Sequence, residues 1–131
     1  MEQLAASIVD HASLEQVLRA AWIQLNGRDL LGVDAMRWGI DATVDMAHCL
    51  GVQVVTGVVC LLAREYYAWV HGLPDLMLWR KSVSSNGDDV FQSRWVEVKG
   101  PGDSLRGSQR VWLAQLVAWE AVVEVVHVVA A

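Results

Sequence analysis

The apolar pattern changes its period near residue 71, and that change limits the possible fold more than any other property of the chain. Before it the spacing is helical. Ser13-Leu14-Glu15-Gln16 has capping-box spacing, a hydroxyl followed three residues later by Gln, and Leu14, Val17, Leu18, Ala21, Trp22 and Leu25 then form one stripe. Asn26-Gly27 marks a stop. A second helix is expected to start at Asp41, followed by Val44, Ala47, His48 and Gly51. A third, from Val52 to about Tyr67, is apolar on most sides and is expected to be central to the core.

After residue 71 the period is that of strands. Leu76-Met77-Leu78-Trp79 is a short apolar run behind Gly72-Leu73-Pro74, and the polar stretch Ser82 to Asp89 contains Asn86-Gly87, a hairpin signal. Trp95-Val96-Glu97-Val98-Lys99 alternates as a strand and ends at Gly100-Pro101-Gly102-Asp103. Val111, Trp112, Leu113, Leu116 and Val117 then return to helical spacing. A last β-branched run, Val122 to Val129, is broken by Glu124 and His127. Helices, a two-stranded hairpin, a crossover helix and a third strand make the order of a small α/β layer fold. One domain over 1–131 is expected, mainly helical over 1–70 and motif-bearing over 71–131.

Composition narrows the function classes. An apolar content of 54% over 131 residues suffices for one core. Met1-Glu2-Gln3 has no signal-peptide order, and Val52 to Ala63 is shorter than the roughly 18 residues that span a bilayer, so a soluble intracellular protein is expected, with no membrane partner. Cys49 and Cys60 lack metal-ligand spacing and read as buried thiols. A net charge of −5 argues against gripping nucleic acid by bulk electrostatics, so any such contact is local. Clustered carboxylates serve instead to attract hard divalent cations.

Asp75, Glu97 and Lys99 are the candidates for chemistry. Asp75 precedes one strand, while Glu97 and Lys99, two apart on its hairpin neighbour, point to the same face. Two carboxylates with the backbone carbonyl of Val98 make the sparse oxygen shell that Mg²⁺ or Mn²⁺ prefers. Such an ion acidifies water and stabilises charge on a phosphate, and Lys99 could orient the water or offset charge in the transition state. Singly, Pro-Asp is ordinary turn chemistry and Glu-x-Lys an ordinary solvated face. Their joint occurrence in this order carries the argument.

The segments His71-Gly72-Leu73-Pro74-Asp75-Leu76-Met77-Leu78-Trp79, Val96-Glu97-Val98-Lys99-Gly100-Pro101-Gly102-Asp103, Gln109-Arg110-Val111-Trp112-Leu113 and Val123-Glu124-Val125-Val126-His127-Val128-Val129 together resemble the virus-type replication-repair nuclease (VRR-NUC) domain of the PD-(D/E)XK superfamily. The version at the C-terminus of Fanconi-associated nucleases is the most similar. The resemblance implies a restriction-endonuclease-like core, a small mixed sheet flanked by helices, with an N-terminal helical half. It implies a structure-specific DNA repair nuclease acting on 5′ flaps and branched ends, as endonuclease or 5′-3′ exonuclease, with Mg²⁺ or Mn²⁺. Asp75 and Glu97 then correspond to metal ligands, Lys99 to the catalytic lysine, Gln109 to a helix glutamine near the site, and Glu2 to a metal-binding glutamate of the first helix. Two departures stand out: Asp103-Ser104-Leu105-Arg106 lacks the family's usual basic residue and capping serine, and Glu120 stands near where relatives have a glycine.

Arg106 and Arg110, four apart on one helical face, with Arg80 and Lys81 on the hairpin, are the candidate phosphate contacts. His71 could flank the phosphate path. His11, His48 and His127 receive no role, and the seven tryptophans read as core and packing residues. The long helical stretch before Pro74 favours a monomer, free-standing or part of a longer repair nuclease. The alternatives are a dimeric nuclease that cuts Holliday junctions and a catalytically silent DNA-binding or interaction domain. Localisation is expected to be nuclear in a eukaryote and cytoplasmic, at the nucleoid, in a bacterium.

Overall fold

A computed structural model describes residues 2–25 and 35–129. The helical half comprises α1 (Glu2–Ser7), α2 (His11–Leu25), α3 (Ala35–Leu50), α4 (Val52–Arg64) and the single turn α5 (Tyr66–Trp69). The second half comprises β1 (Leu76–Val83), β2 (Asp89–Lys99), α6 (Gly107–Ala118) and β3 (Val123–His127). Mixed α/β architecture and the order hairpin, crossover helix, strand agree with the sequence pattern.

Helix starts differ from expectation where side-chain caps decide them. Ser13 is not the cap of α2. Asp10 is: its carboxylate accepts from the Ser13 amide at 2.8 Å, and the Ser13 hydroxyl accepts in return from the Asp10 and Val9 amides at 3.0 and 2.9 Å. The Ser13 amide, and then the Ser13 hydroxyl, which donates to the same carboxylate at 2.7 Å, hold the Asp10 carboxyl below its ordinary pKa. In α3 the glycine Gly39, at φ 71° and ψ 165°, interrupts the helix, so the regular turns begin next to the start expected at Asp41. Asn26-Gly27 lies outside the described residues.

Gly51, at φ 85°, breaks the chain between α3 and α4, whose axes turn by 101°. No single helix among the described residues is long and apolar enough to cross a membrane. α4 contributes to the core as expected, Val54 being buried in it with Val58, Leu61 and Leu62 packed against it, while Val59, on another side of the helix, is 45% exposed.

β1 and β2 pair antiparallel from Leu76↔Val96 to Val83↔Asp89, joined by a turn at Gly87 (φ 88°). β3 runs parallel to β2 on its other side, from Trp95↔Val123 to Lys99↔His127. β2 is therefore the central strand. The core gathers Val54, Trp95, Trp112 and Leu116, with Met77, Trp69, Leu73 and Val123 packed against it. Trp112 and Leu116 are one turn apart on α6 and cover the sheet face that carries Trp95. Complete burial of a side chain such as Leu116 contributes about 1.5–3 kcal/mol. The opposite face is more open, with Leu76, Leu78 and Val126 each between 42% and 52% exposed.

Three packing expectations need correction. Trp38 is 63% exposed and not a core residue, Cys60 is only half-buried, and His11 and His48, given no partners from sequence, stack at 4.8 Å between ring centroids. Cys49 is buried as expected, its thiol directed at the Arg80 carbonyl at 3.4 Å.

Candidate active site

Glu97 and Lys99 share the side of β2 that faces α6, and both are buried, at 1% and 6% exposure. A charged pair in such a position requires close polar partners, since losing water costs each ion several kcal/mol. Lys99 Nζ lies 2.7 Å from Glu97 Oε1 and donates to Gln109 Oε1 at 2.9 Å, and Gln109 Nε2 donates to the same Glu97 oxygen. Gln109 is itself oriented by helix geometry. It is the third residue of α6, and its Oε1 also accepts from the amide of Arg106, the N-cap, at 2.9 Å. The side-chain oxygen thus caps the helix and accepts from the lysine, while the side-chain nitrogen holds the glutamate.

The chain reaches that helix through a tight turn. Asp103 accepts from the Gly100 amide at 3.0 Å and its own amide returns to the Gly100 carbonyl at 3.1 Å, with Gly102 at φ 79°. Arg106 therefore caps α6 by its backbone, where relatives are expected to have serine. The other end of α6 closes with Ala121 N donating to Leu116 O at 3.0 Å and Glu120 N to Val117 O at 2.9 Å, a Schellman motif. Its left-handed position, normally glycine, is filled by Glu120 at φ 64°.

Asp75 immediately precedes β1, and extending the register Leu76↔Val96 by one residue sets it opposite Glu97. Its Oδ2 accepts from the Val98 amide at 2.8 Å. Trp95 N donates to Val122 O and Lys99 O accepts from Val128 N, so the odd residues of β2 bond towards β3. The peptide groups of Val98 consequently face the β1 side, just past the last β1 pair, and its carbonyl lies along the edge that Asp75 closes. Proline at 74 is buried and fixes the approach to Asp75. The loop before it is anchored to α6: Trp112 Nε1 donates to Trp69 O at 2.8 Å, and the two indoles meet edge to face at 5.3 Å.

The residues fit a hard divalent cation. Glu97 Oε2 is buried without a hydrogen-bond partner, while Oε1 makes all of the internal contacts. An unpartnered carboxylate oxygen in a polar cluster is the donor such an ion takes. Among the described residues no three of His, Cys, Asp and Glu converge as a ligand group, so the donors available are two carboxylates and the Val98 carbonyl. Glu2 begins α1, and its side chain lies outside the described residues.

The basic candidates divide into two groups. Arg106 and Arg110 are exposed at the start of α6, beside Gln109, with Arg110 Nε 3.3 Å from the Leu105 carbonyl. Arg80 and Lys81 lie four and five residues along β1 from Leu76, about 13 Å or more away. Arg80 bonds Gln92, and Lys81 is paired with Asp45 at 2.9 Å and Asp89 at 3.3 Å. His71 is exposed in the loop before β1. Sequence reasoning named Gln109 but did not foresee its three bonds; the signal available was its place three residues after the N-cap.

An aspartate just ahead of one strand and a Glu-x-Lys on its neighbour, roofed by a helix that presents glutamine, define a PD-(D/E)XK-like α/β fold. Residues 10–130 match the model of the VRR-NUC domain, and the chain belongs to that family. It is 38% identical to human Fanconi-associated nuclease 1 over 119 residues, 90% of this chain and 11% of that protein. It is 36% identical to the mouse protein over 125 residues, 92% of this chain and 12% of the relative, and 30% identical to the Dictyostelium discoideum homolog over 126 residues, 89% and 12%. The chain thus spans 11–12% of the length of these relatives.

Proposed function

We propose that this chain is the catalytic domain of a structure-specific DNA repair nuclease that hydrolyses phosphodiester bonds with Mg²⁺ or Mn²⁺ held by Asp75, Glu97 and the Val98 carbonyl. The observation that carries this reading is the buried Glu97–Lys99–Gln109 cluster with Glu97 Oε2 left unengaged. A divalent ion, when bound, supplies positive charge at the scissile phosphate and acidifies the attacking water. Lys99 spends two of its three ammonium hydrogens on Glu97 and Gln109, and the third serves the water or a phosphate oxygen. Gln109 prevents Lys99 from turning away and so fixes its charge before substrate arrives.

Substrate contact belongs to Arg106 and Arg110, which flank the cluster, rather than to Lys81, whose charge is engaged by Asp45 and Asp89. With a net charge of −5 the chain grips DNA locally, which suits junctions and 5′ flaps, where a few phosphates are exposed at unusual angles. The domain acts where chromosomal DNA is, in the nucleus of a eukaryote or at the nucleoid of a bacterium.

Cleavage of an end-labelled 5′ flap with and without Mn²⁺, beside Lys99→Ala, tests the proposal. Metal-dependent cutting that falls about 100- to 1,000-fold in the variant is expected. Equal cutting by both proteins would sink the assignment.

A further inference from the structure

Asp75 carries the metal in the reading above, yet it is exposed and lies outside the first β1–β2 pair, Leu76↔Val96. Sheet pairing constrains it from one side only. A second constraint comes from the loop of residues 70–75 that joins α5 to β1. Gly72 in that loop has φ 108°, and a Cβ built on it would sit 2.8 Å from the Ser108 carbonyl carbon and 2.9 Å from its oxygen. Both are backbone atoms of α6, which cannot swing aside as a flexible side chain would. Ser108 directly precedes Gln109, and Trp112, one turn further along α6, holds the Trp69 carbonyl at the loop's start.

These contacts close a ring. From Gly72 the chain runs to Asp75, whose carboxylate holds the Val98 amide between Glu97 and Lys99. Both of those side chains bond Gln109, and Gln109 is covalently next to Ser108, on which Gly72 rests. Displacement anywhere in the ring is felt at Asp75.

Resting on the nuclease reading, we infer that Gly72 is a positioning residue: its close approach to Ser108, with the Trp112–Trp69 hydrogen bond, clamps the loop to α6 and sets Asp75 against Glu97 and Lys99. A side chain at Gly72 forces the loop off α6 and the carboxylate off Val98. Global stability alone does not predict that local effect.

The test is amide hydrogen exchange of the ion-free chain, with Val98 read against Trp95, whose amide bonds Val122 O at 2.8 Å on the same strand. In Gly72→Ala, protection at Val98 is expected to fall about tenfold more than at Trp95, because only the loop opens. Trp112→Phe keeps an aromatic side chain in the core but loses the indole N–H that bonds Trp69, and should show the same selectivity more weakly; its reading decides the matter if Gly72→Ala does not fold. Gly57→Ala, whose Cβ would lie 2.5 Å from the Trp119 ring, is the destabilised control and should lower both amides together. On a cleavable flap, Gly72→Ala should lower kcat by about 100-fold with little change in KM, as expected for a misplaced catalytic group.

Parallel loss at Val98 and Trp95 in both Gly72→Ala and Trp112→Phe overturns the clamp, even if Lys99-dependent cutting is found. Selective loss at Val98 upholds the clamp even if no cutting is ever seen, in which case the nuclease reading alone fails.

Discussion

The two ends of β2 carry similar residues and treat them in opposite ways. From Trp95 to Lys99 the strand pairs with β3, as far as Val96 also with β1, and has α6 above it, and its glutamate and lysine are buried. From Asp89 to Arg94 it pairs with β1 alone, and its charges lie at the surface, Asp89 with Lys81 of β1, which also meets Asp45, and Arg94 with Glu124 of β3 at 2.9 Å. Exposed pairs of this kind contribute little and are common. A buried pair is a poor source of stability relative to apolar packing, so its presence at one end points to chemistry there. Cavities point the wrong way: an open cleft of about 600 Å³ lies beside the surface end, lined by Leu50, Phe91, Ser93, Arg94 and Glu120, another of about 650 Å³ is lined by His11, Val54 and Trp119, and neither contains Asp75, Glu97, Lys99 or Gln109.

Lys99→Met is the strongest way to break the contrast. It strands Glu97 without its ion partner and should cost about 3–5 kcal/mol in denaturant unfolding. Lys81→Met, the same change at the other end, should leave the midpoint nearly unmoved. If the two variants were alike, burial would not be what separates the two ends.

A smaller effect, of opposite sign, is expected from Glu120→Gly. Glu120 sits in the left-handed turn that delivers β3 onto Trp95 and so determines where β2 gains its second neighbour. Relieving that conformation should stabilise the chain by about 1 kcal/mol, seen as a higher melting temperature. No gain would mean that the Glu120 side chain compensates the strain.

The weakest effects are those of pH on surface groups. Lys81 is held above its ordinary pKa by hydrogen bonds to Asp45 and then Asp89. Its contribution is complete at neutral pH and disappears only as alkali passes its raised value. Asp10 is held below the ordinary aspartate pKa of about 3.9 by the Ser13 amide and hydroxyl. Its contribution is present above that value and disappears as acid passes its lowered one. Melting temperatures across the pH range should therefore show Asp10→Asn diverging from the parent on the neutral side and converging with it in strong acid.

The sequence made the site legible where geometry follows from spacing alone. Glu97 and Lys99 are two apart on an alternating strand, and no packing detail was needed to put them on one face. Asp75 required the hairpin register, which Asn86-Gly87 supplied. What stayed hidden depended on competition between partners. Ser13 could cap a helix, but Asp10 accepted its amide first. Val52 to about Tyr67 is apolar on most sides, but apolar content records neither the break after Arg64 nor that Val59 is 45% exposed. Trp38 was misread for the same reason. The glycine absent at Glu120 was visible through the family resemblance, yet only the backbone showed that a glutamate can adopt the required turn.

Glu97 divides its duties between its two oxygens. Lys99 and Gln109 both use Oε1, so a cation arriving at Oε2 displaces neither of them. Under the metal-dependent reading proposed above, loading and unloading would leave the internal wiring intact, and the cluster would stand in working shape before any ion arrives.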